Sequence, residues 1–134
     1  MPVVANQYNI VVEQGSTFTL SITYKDSGGD PIDLSNFSAR MDIRQDYASE
    51  TALVALTSAA GGSGDTSGIF LGGVLGTIVV VIANATTTGL TAPSTNVYDL
   101  ELRDSAGAVT RILEGKATVS PNATLSTYSG GTSN

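Results

Sequence analysis

The strongest constraint in this chain is a period of two. Thr17 to Lys25 alternates without a break: Phe18, Leu20, Ile22 and Tyr24 fall on one side, and Thr17, Thr19, Ser21 and Thr23 on the other. Successive side chains of a strand point to opposite faces, so this is a strand with one buried face. The same rhythm returns in Ser38–Arg44, where Ala39, Met41 and Ile43 alternate with Arg40, Asp42 and Arg44. It returns again in Asn96–Asp104, with Tyr98, Leu100 and Leu102 inward and Asp99, Glu101 and Arg103 outward. Weaker strands are expected at Tyr8–Glu13, Leu53–Thr57 and Ile69–Leu71. Thr77–Ala83 is a Val/Ile run with little alternation, and Val109–Val119 is expected as the hairpin partner of Asn96–Asp104.

Turn chemistry separates these segments. Asp26-Ser27-Gly28-Gly29-Asp30-Pro31 supplies Gly for positive φ, Asp for side-chain capping and Pro to stop the ladder. Ser105-Ala106-Gly107 is a hairpin turn. Gly115, inside a strand pattern, is expected to mark a bulge. Ser58–Gly68 is the longest loop, and Asn84–Leu90 allows a single helical turn. Seven to eight short strands separated in this way imply an all-β fold, an immunoglobulin-like antiparallel β-sandwich. The domain is expected over residues 8–121, with an N-terminal arm at 1–7 and a polar C-terminal tail at 122–134. Both ends are expected to gain order from neighbouring proteins. Expected core residues are Phe18, Leu20, Ile22, Met41, Ile43, Val79, Val81, Tyr98, Leu100 and Leu102.

With 134 residues there is material for one core. Charged residues are 13% of the chain, about half the usual ~25%, which suits surfaces covered by other subunits. The net charge is −6, and the six basic residues are scattered. Neither nucleic acid nor an anionic membrane is therefore an expected partner. The N-terminus has no cationic start or apolar core, so no signal peptide is expected. The apolar run Ile69–Ala83 is shorter than the ~20 residues of a spanning helix. It also contains Gly72, Gly73 and Gly76. Gly72–Gly76 matches GxxxG, but a turn leading into a buried strand explains it better.

The chain has no Cys and no His. That removes thiol nucleophiles, disulfides, Cys/His metal sites and imidazole bases together. Carboxylates are the remaining catalytic candidates. Asp99 and Glu101 share a strand face, as a glycoside-cleaving pair would, but Arg103, Arg111 and Glu114 nearby favour a salt-bridged surface. Asp26, Asp30 and Asp33 cluster as in an oxygen-rich cation loop, without the closing Glu such a loop needs. Gly61-Gly62-Ser63-Gly64-Asp65 lacks the Lys of a phosphate loop. The Asn-x-Ser/Thr matches at Asn36, Asn84 and Asn122 are expected by chance in so Ser/Thr-rich a chain. A Ser–Lys dyad would need Lys25 or Lys116, and neither sits in a recognisable motif. With eight aromatics and no Trp, a stacking platform for sugars or bases is poorly supported. The expectation is a protein that is not an enzyme and that has no catalytic, metal or cofactor residues.

Several blocks carry a resemblance. Tyr8-Asn9-Ile10 through Gln14-Gly15-Ser16-Thr17-Phe18 is similar to an opening Gln-Gly-Asp/Ser-Thr/Asp-Phe strand pair. Asp30-Pro31-Ile32-Asp33-Leu34-Ser35-Asn36-Phe37-Ser38-Ala39-Arg40-Met41 resembles a Pro-Ile-Asp-Leu-Thr-Gly-Tyr-x-Ala-Arg-Met block. Val97–Leu102 and Arg111–Pro121 resemble a closing hairpin. Across residues 8–123 the set resembles small virion proteins of tailed phages, similar to the N-terminal domain of the phage baseplate upper protein family. The resemblance implies a structural virion protein present in several copies, a baseplate or tail adaptor that positions fibres. Its expected partners are other phage structural proteins (baseplate, tail fibre or capsid) and further copies of itself. It would be assembled in the host cytoplasm. The alternatives are a capsid decoration (cement) protein and a carbohydrate-binding module. The block also has a reading free of any family: Pro31 shapes the turn, Asp33 caps it, and Leu34 and Phe37 plug the end of the sandwich.

Overall fold

A computed structural model describes residues 6–58 and 67–122. Among them, nine strand segments form two sheets. They are β1 (Asn6–Gln7), β2 (Ile10–Glu13), β3 (Phe18–Thr23), β4 (Ser38–Arg44), β5 (Ala52–Thr57), β6 (Gly68–Leu71), β7 (Thr77–Ile82), β8 (Ser94–Arg103) and β9 (Val109–Ser120). A short helix, α1 (Asn84–Thr88), follows β7, and a single 3-10 turn covers Gly73–Leu75. The larger sheet runs β1/β2-β9-β8-β4-β5 and the smaller runs β3-β7-β6. The protein is an all-β sandwich, as the alternation requires.

The first two segments are one interrupted strand. Asn6 and Gln7 pair with Leu113 and Glu114, and Ile10–Glu13 pair with Ala117–Ser120 at the same offset. Both run parallel to β9, whereas every other ladder is antiparallel. The chain then crosses at Gln14–Thr17 to the other sheet, so parallel pairing needs no helix here. Asn6 and Gln7, expected in a free arm, are thus part of the sheet. Residues 1–5 of that arm, and 123–134 of the expected tail, lie outside the described residues.

The interruption explains Gly115. A Cβ there would lie 2.5 Å from the Tyr8 carbonyl oxygen and 2.9 Å from Asn9 Oδ1. Gly115 is therefore a site of close backbone approach. It is not at a bulge, and the expectation of one there is corrected. Asn9 Oδ1 accepts a hydrogen bond from the Lys116 amide (2.9 Å), in place of a backbone carbonyl. Opposite Gly115 on β8 stands Tyr98, whose hydroxyl donates to the Tyr8 carbonyl at 2.6 Å. The bulge in this ladder lies at Ile112 instead: Leu100 pairs with Leu113, and Glu101 with Arg111. Two consecutive residues, Ile112 and Leu113, are buried there, and this break in alternation was the signal to follow.

Core membership follows the registers. Met41, Ile43, Tyr98, Leu100 and Leu102 are buried in one cluster, as their alternation predicts. Phe18, Leu20 and Ile22 pack against it but are only partly buried. Val79 and Val81 are corrected. Leu20 pairs with Val80, so Ile78, Val80 and Ile82 point inward, and Val79 and Val81 belong to the outer face. Val79 is half-buried and Val81 is buried outside the core cluster. A β-branched run carries no parity of its own, and only pairing with β3 sets it.

Two loops are the same device used twice. In Asp26–Asp30, Asp26 Oδ1 accepts from the amides of Gly28 (2.9 Å) and Asp30 (3.0 Å). In Asp104–Ala108, Asp104 Oδ1 accepts from Ala106 and Ala108, both at 2.9 Å. The backbone bonds also correspond, Gly29 to the Asp26 carbonyl and Gly107 to the Asp104 carbonyl, each 3.0 Å. Gly29 and Gly107 take φ values of +87° and +92°, where an L side chain is strained. Both loops lie at the end of the sandwich where β3 and β8 stop. The segment Pro31–Phe37 spans the two sheets there. Leu34 is buried and Phe37 packs against the core, so both plug that end.

Candidate functional site

The outer face of the larger sheet gathers most of the chain's charge. Its rows are set by register: Arg40 beside Glu101 beside Arg111, then Asp42 beside Asp99 beside Glu114. Like charges fall together in the second row, and Arg111 offsets them by reaching across. It lies 3.3 Å from Asp99 and 3.1 Å from Glu114. Arg40 pairs with Glu101 at 3.8 Å. Gln7 of β1 donates to Glu114 at 2.8 Å, tying the edge into the same lattice. Asp99 and Glu101 thus turn to different arginines. An exposed ion-paired strand face accounts for them, and nothing in the arrangement aims both carboxylates at one point.

Asp26, Asp30 and Asp33 do not converge on a cation either. Asp26 is occupied by its own turn, and Asp33 Oδ1 accepts from the amide (2.9 Å) and hydroxyl of Ser35. Those bonds, the hydroxyl first, hold the Asp33 carboxyl below its ordinary range. Among the described residues no group of three acidic side chains is placed to hold a metal ion. No helix among them is long and apolar enough to cross a membrane. Gly61–Asp65 lies outside the described residues.

Among the described residues the group shifted furthest is structural. Burial, with the nearby Tyr8 phenol as a smaller cause, pushes the Tyr98 hydroxyl up to about 12. Its proton is the one donated to Tyr8. At the opposite end, Thr87 in α1 is fully buried. Its hydroxyl donates to the Ser16 carbonyl (2.8 Å) and accepts from the Gly15 amide (3.1 Å). Gln14 adds a bond to the Leu90 carbonyl at 2.9 Å. This polar knot pins the crossing between sheets. No local pattern in the sequence marked Thr87.

Two surface features lie at the plugged end, the first of which the sequence marked as a turn leading into a buried strand. The first is the tip Gly72–Gly76. Gly76 is buried under the chain, where a Cβ would come within 2.9 Å of the Tyr24 carbonyl oxygen. The Tyr24 amide bonds Gly76 O (2.8 Å), and the Leu34 amide bonds Gly73 O (2.9 Å). The tip is thereby clamped, yet Val74 and Leu75 are 68% and 64% exposed. The second is a cleft of about 200 Å³ beside the β8–β9 hairpin. The side chains that face it are Ser38, Arg40, Glu101, Arg103 and Val109, while Ala39 and Leu102 beneath it turn their side chains into the core.

No protein-family model matches this chain. No curated protein matches it either.

Proposed function

We propose that this chain is a non-catalytic structural subunit of a tailed-phage particle, a baseplate or tail adaptor that positions fibres through protein–protein contacts. The observation that carries this reading is the end of the sandwich formed by the Pro31–Met41 block, whose sequence resembles that of the baseplate upper protein family. There a rigid clamp holds two large apolar side chains out in solvent. Exposed apolar residues on a preorganised support lose little conformational entropy on docking. The low charge content supports the same reading, as does the use of the carboxylates at 99, 101 and 114 in ion pairing.

The test is quantitative mass spectrometry of purified particles from a lysate in which the protein is made. Peptides from this chain at a few to tens of copies per particle are the expected result. Hundreds of copies would move the subunit to the capsid surface, and absence from particles would overturn the reading.

A further inference from the structure

We propose that the open edge of β3 pairs with β3 of a second copy, antiparallel about a two-fold axis at Ser21, so that the smaller sheets of two copies join into one. The inference stands on the strand edge itself and does not depend on the phage reading.

Backbone direction on β3 is fixed by its neighbours. The Tyr24 amide bonds Gly76 O (2.8 Å) on the β7 side, and Phe18, Leu20 and Ile22 share its parity. The Gly72 amide bonds Thr77 O (2.8 Å), so Thr77 turns to the β6 side, and Ile78, opposite Ile22, turns to β3. In an antiparallel ladder alternate residues exchange both backbone bonds with one neighbour. Phe18, Leu20 and Ile22 therefore bond β7, and the N–H and C=O groups of Thr19, Ser21 and Thr23 point out of the sheet edge. Among the described residues β7 is the one strand of the sheet beside β3, and no turn or loop backbone bond reaches those groups.

A row of outward N–H and C=O groups at strand spacing is matched by another extended strand. The other edges are blunted. β6 is four residues long. The β1–β2 edge is interrupted at Tyr8–Asn9 and ends on Glu13, and β5 meets a register shift between Ile43 and Arg44 of β4. Phe18–Tyr24 carries no charge and no Pro, and its ladder with β7 runs without a shift.

The edge is its own complement. With Ser21 on the axis, Ser21 faces Ser21 of the other copy and Thr19 faces Thr23, so the outward residues all bond one another. Moving the axis to Leu20 or Ile22 leaves Thr23 or Thr19 facing a residue beyond the strand. The side chains match too. Neutral hydroxyls meet on the outer face, and on the inner face Leu20 meets Ile22 and Phe18 meets Tyr24. These four apolar side chains are only partly buried in one copy, and the pairing covers the flank that leaves them exposed. Lys25, the first charged residue beyond the strand, falls opposite Thr17, so no like charges meet in the ladder. A contact between identical surfaces about a two-fold closes at the dimer.

Sedimentation velocity on the full chain over a range of concentrations tests this. The wild type is expected as a monomer–dimer equilibrium that salt strengthens, because each copy carries a net charge of −6. Ser21→Lys and Ser21→Asp each set like charges face to face on the axis. Both are expected to be folded monomers, since Ser21 is exposed. Mixed, they should form a one-to-one heterodimer, because Lys then meets Asp. Hydrogen exchange on the wild type needs no variant. The amides of Thr19, Ser21 and Thr23 should be protected in the dimer and lose protection on dilution, while those of Leu20 and Ile22 stay protected throughout. A wild type that stays monomeric, a dimer that survives both charged substitutions, or two monomeric variants that ignore each other would overturn the contact. Protection of the three outward amides in the monomer would overturn it as well, since the same copy would then cover its own edge. These outcomes are separate from the particle test: a chain found in particles yet monomeric refutes this contact alone, and a dimer absent from particles refutes the phage reading alone.

Discussion

The two sheets of this sandwich solve the same problem differently. The larger one buries its inner face deeply: Met41, Ile43, Tyr98, Leu100 and Leu102 are all almost wholly removed from solvent. Its outer face is an ion-paired lattice centred on Arg111. The smaller sheet covers the core less completely, since Phe18, Leu20 and Ile22 on β3 remain partly exposed. Its outer face, built of Thr19, Ser21, Thr23, Phe70, Thr77, Val79 and Val81, has no charged side chain among the described residues. Width explains the difference. A central strand such as β8 has a paired neighbour on each side, whereas β3 is an edge whose side chains are screened from one flank only. The lesson is that in a two-sheet fold strict alternation reports which face is inward, and strand position decides how far inward it is.

The contrast predicts unequal costs. Leu100→Ala, at the centre of the larger sheet, should cost ~2–5 kcal/mol in urea unfolding. Leu20→Ala should cost clearly less, because less area leaves water on folding. Equal losses would mean that β3 is as well covered as β8. Gly115→Ala should come next, at ~1–3 kcal/mol, because its Cβ collides with the Tyr8 carbonyl. Hydrogen exchange should show the loss concentrated at β1 and β2, and uniform loss would contradict the close-approach assignment.

Tyr98→Phe removes one hydrogen bond, worth ~1 kcal/mol, and it also changes the pH profile. The Tyr98 hydroxyl is raised in the fold from 10.0 to about 12. Its contribution is therefore complete below pH 10 and is lost as the pH rises towards 12, because the unfolded chain releases that proton first. Stability of the wild type should fall across this window, and that of Tyr98→Phe should fall less. The smallest effect is expected on the charged face. Arg111→Ala should cost under ~1 kcal/mol, since the pairs are half-exposed, and raising the salt should shrink the difference further. Ser21→Ala on the neutral face should show no salt dependence. A large, salt-insensitive loss at Arg111 would mean that the lattice is less solvated than its exposure implies.

Local chemistry accounts for much of what was legible in advance. Alternation over Thr17–Lys25, Ser38–Arg44 and Asn96–Asp104 specified strands and their inward faces, because the pleat makes side-chain direction a property of sequence parity. Composition marked both turns, at Asp26–Pro31 and at Ser105-Ala106-Gly107, but the capping by Asp104 that makes them one device came from the structure. The absence of Cys and His likewise removed thiol and imidazole chemistry without any structure.

Partners distant along the chain settled the rest. The parity of Thr77–Ile82 came from pairing with β3, and the role of Gly115 came from Tyr8, more than a hundred residues earlier. Parallel pairing of β2 with β9 joins the two ends of the domain. The Val74–Leu75 tip is clamped by the Tyr24 and Leu34 amides, which come from distant parts of the chain. A residue's periodicity is written in its neighbours, but what meets it across a sheet or at the end of a sandwich depends on chain closure, and only the folded molecule supplies that.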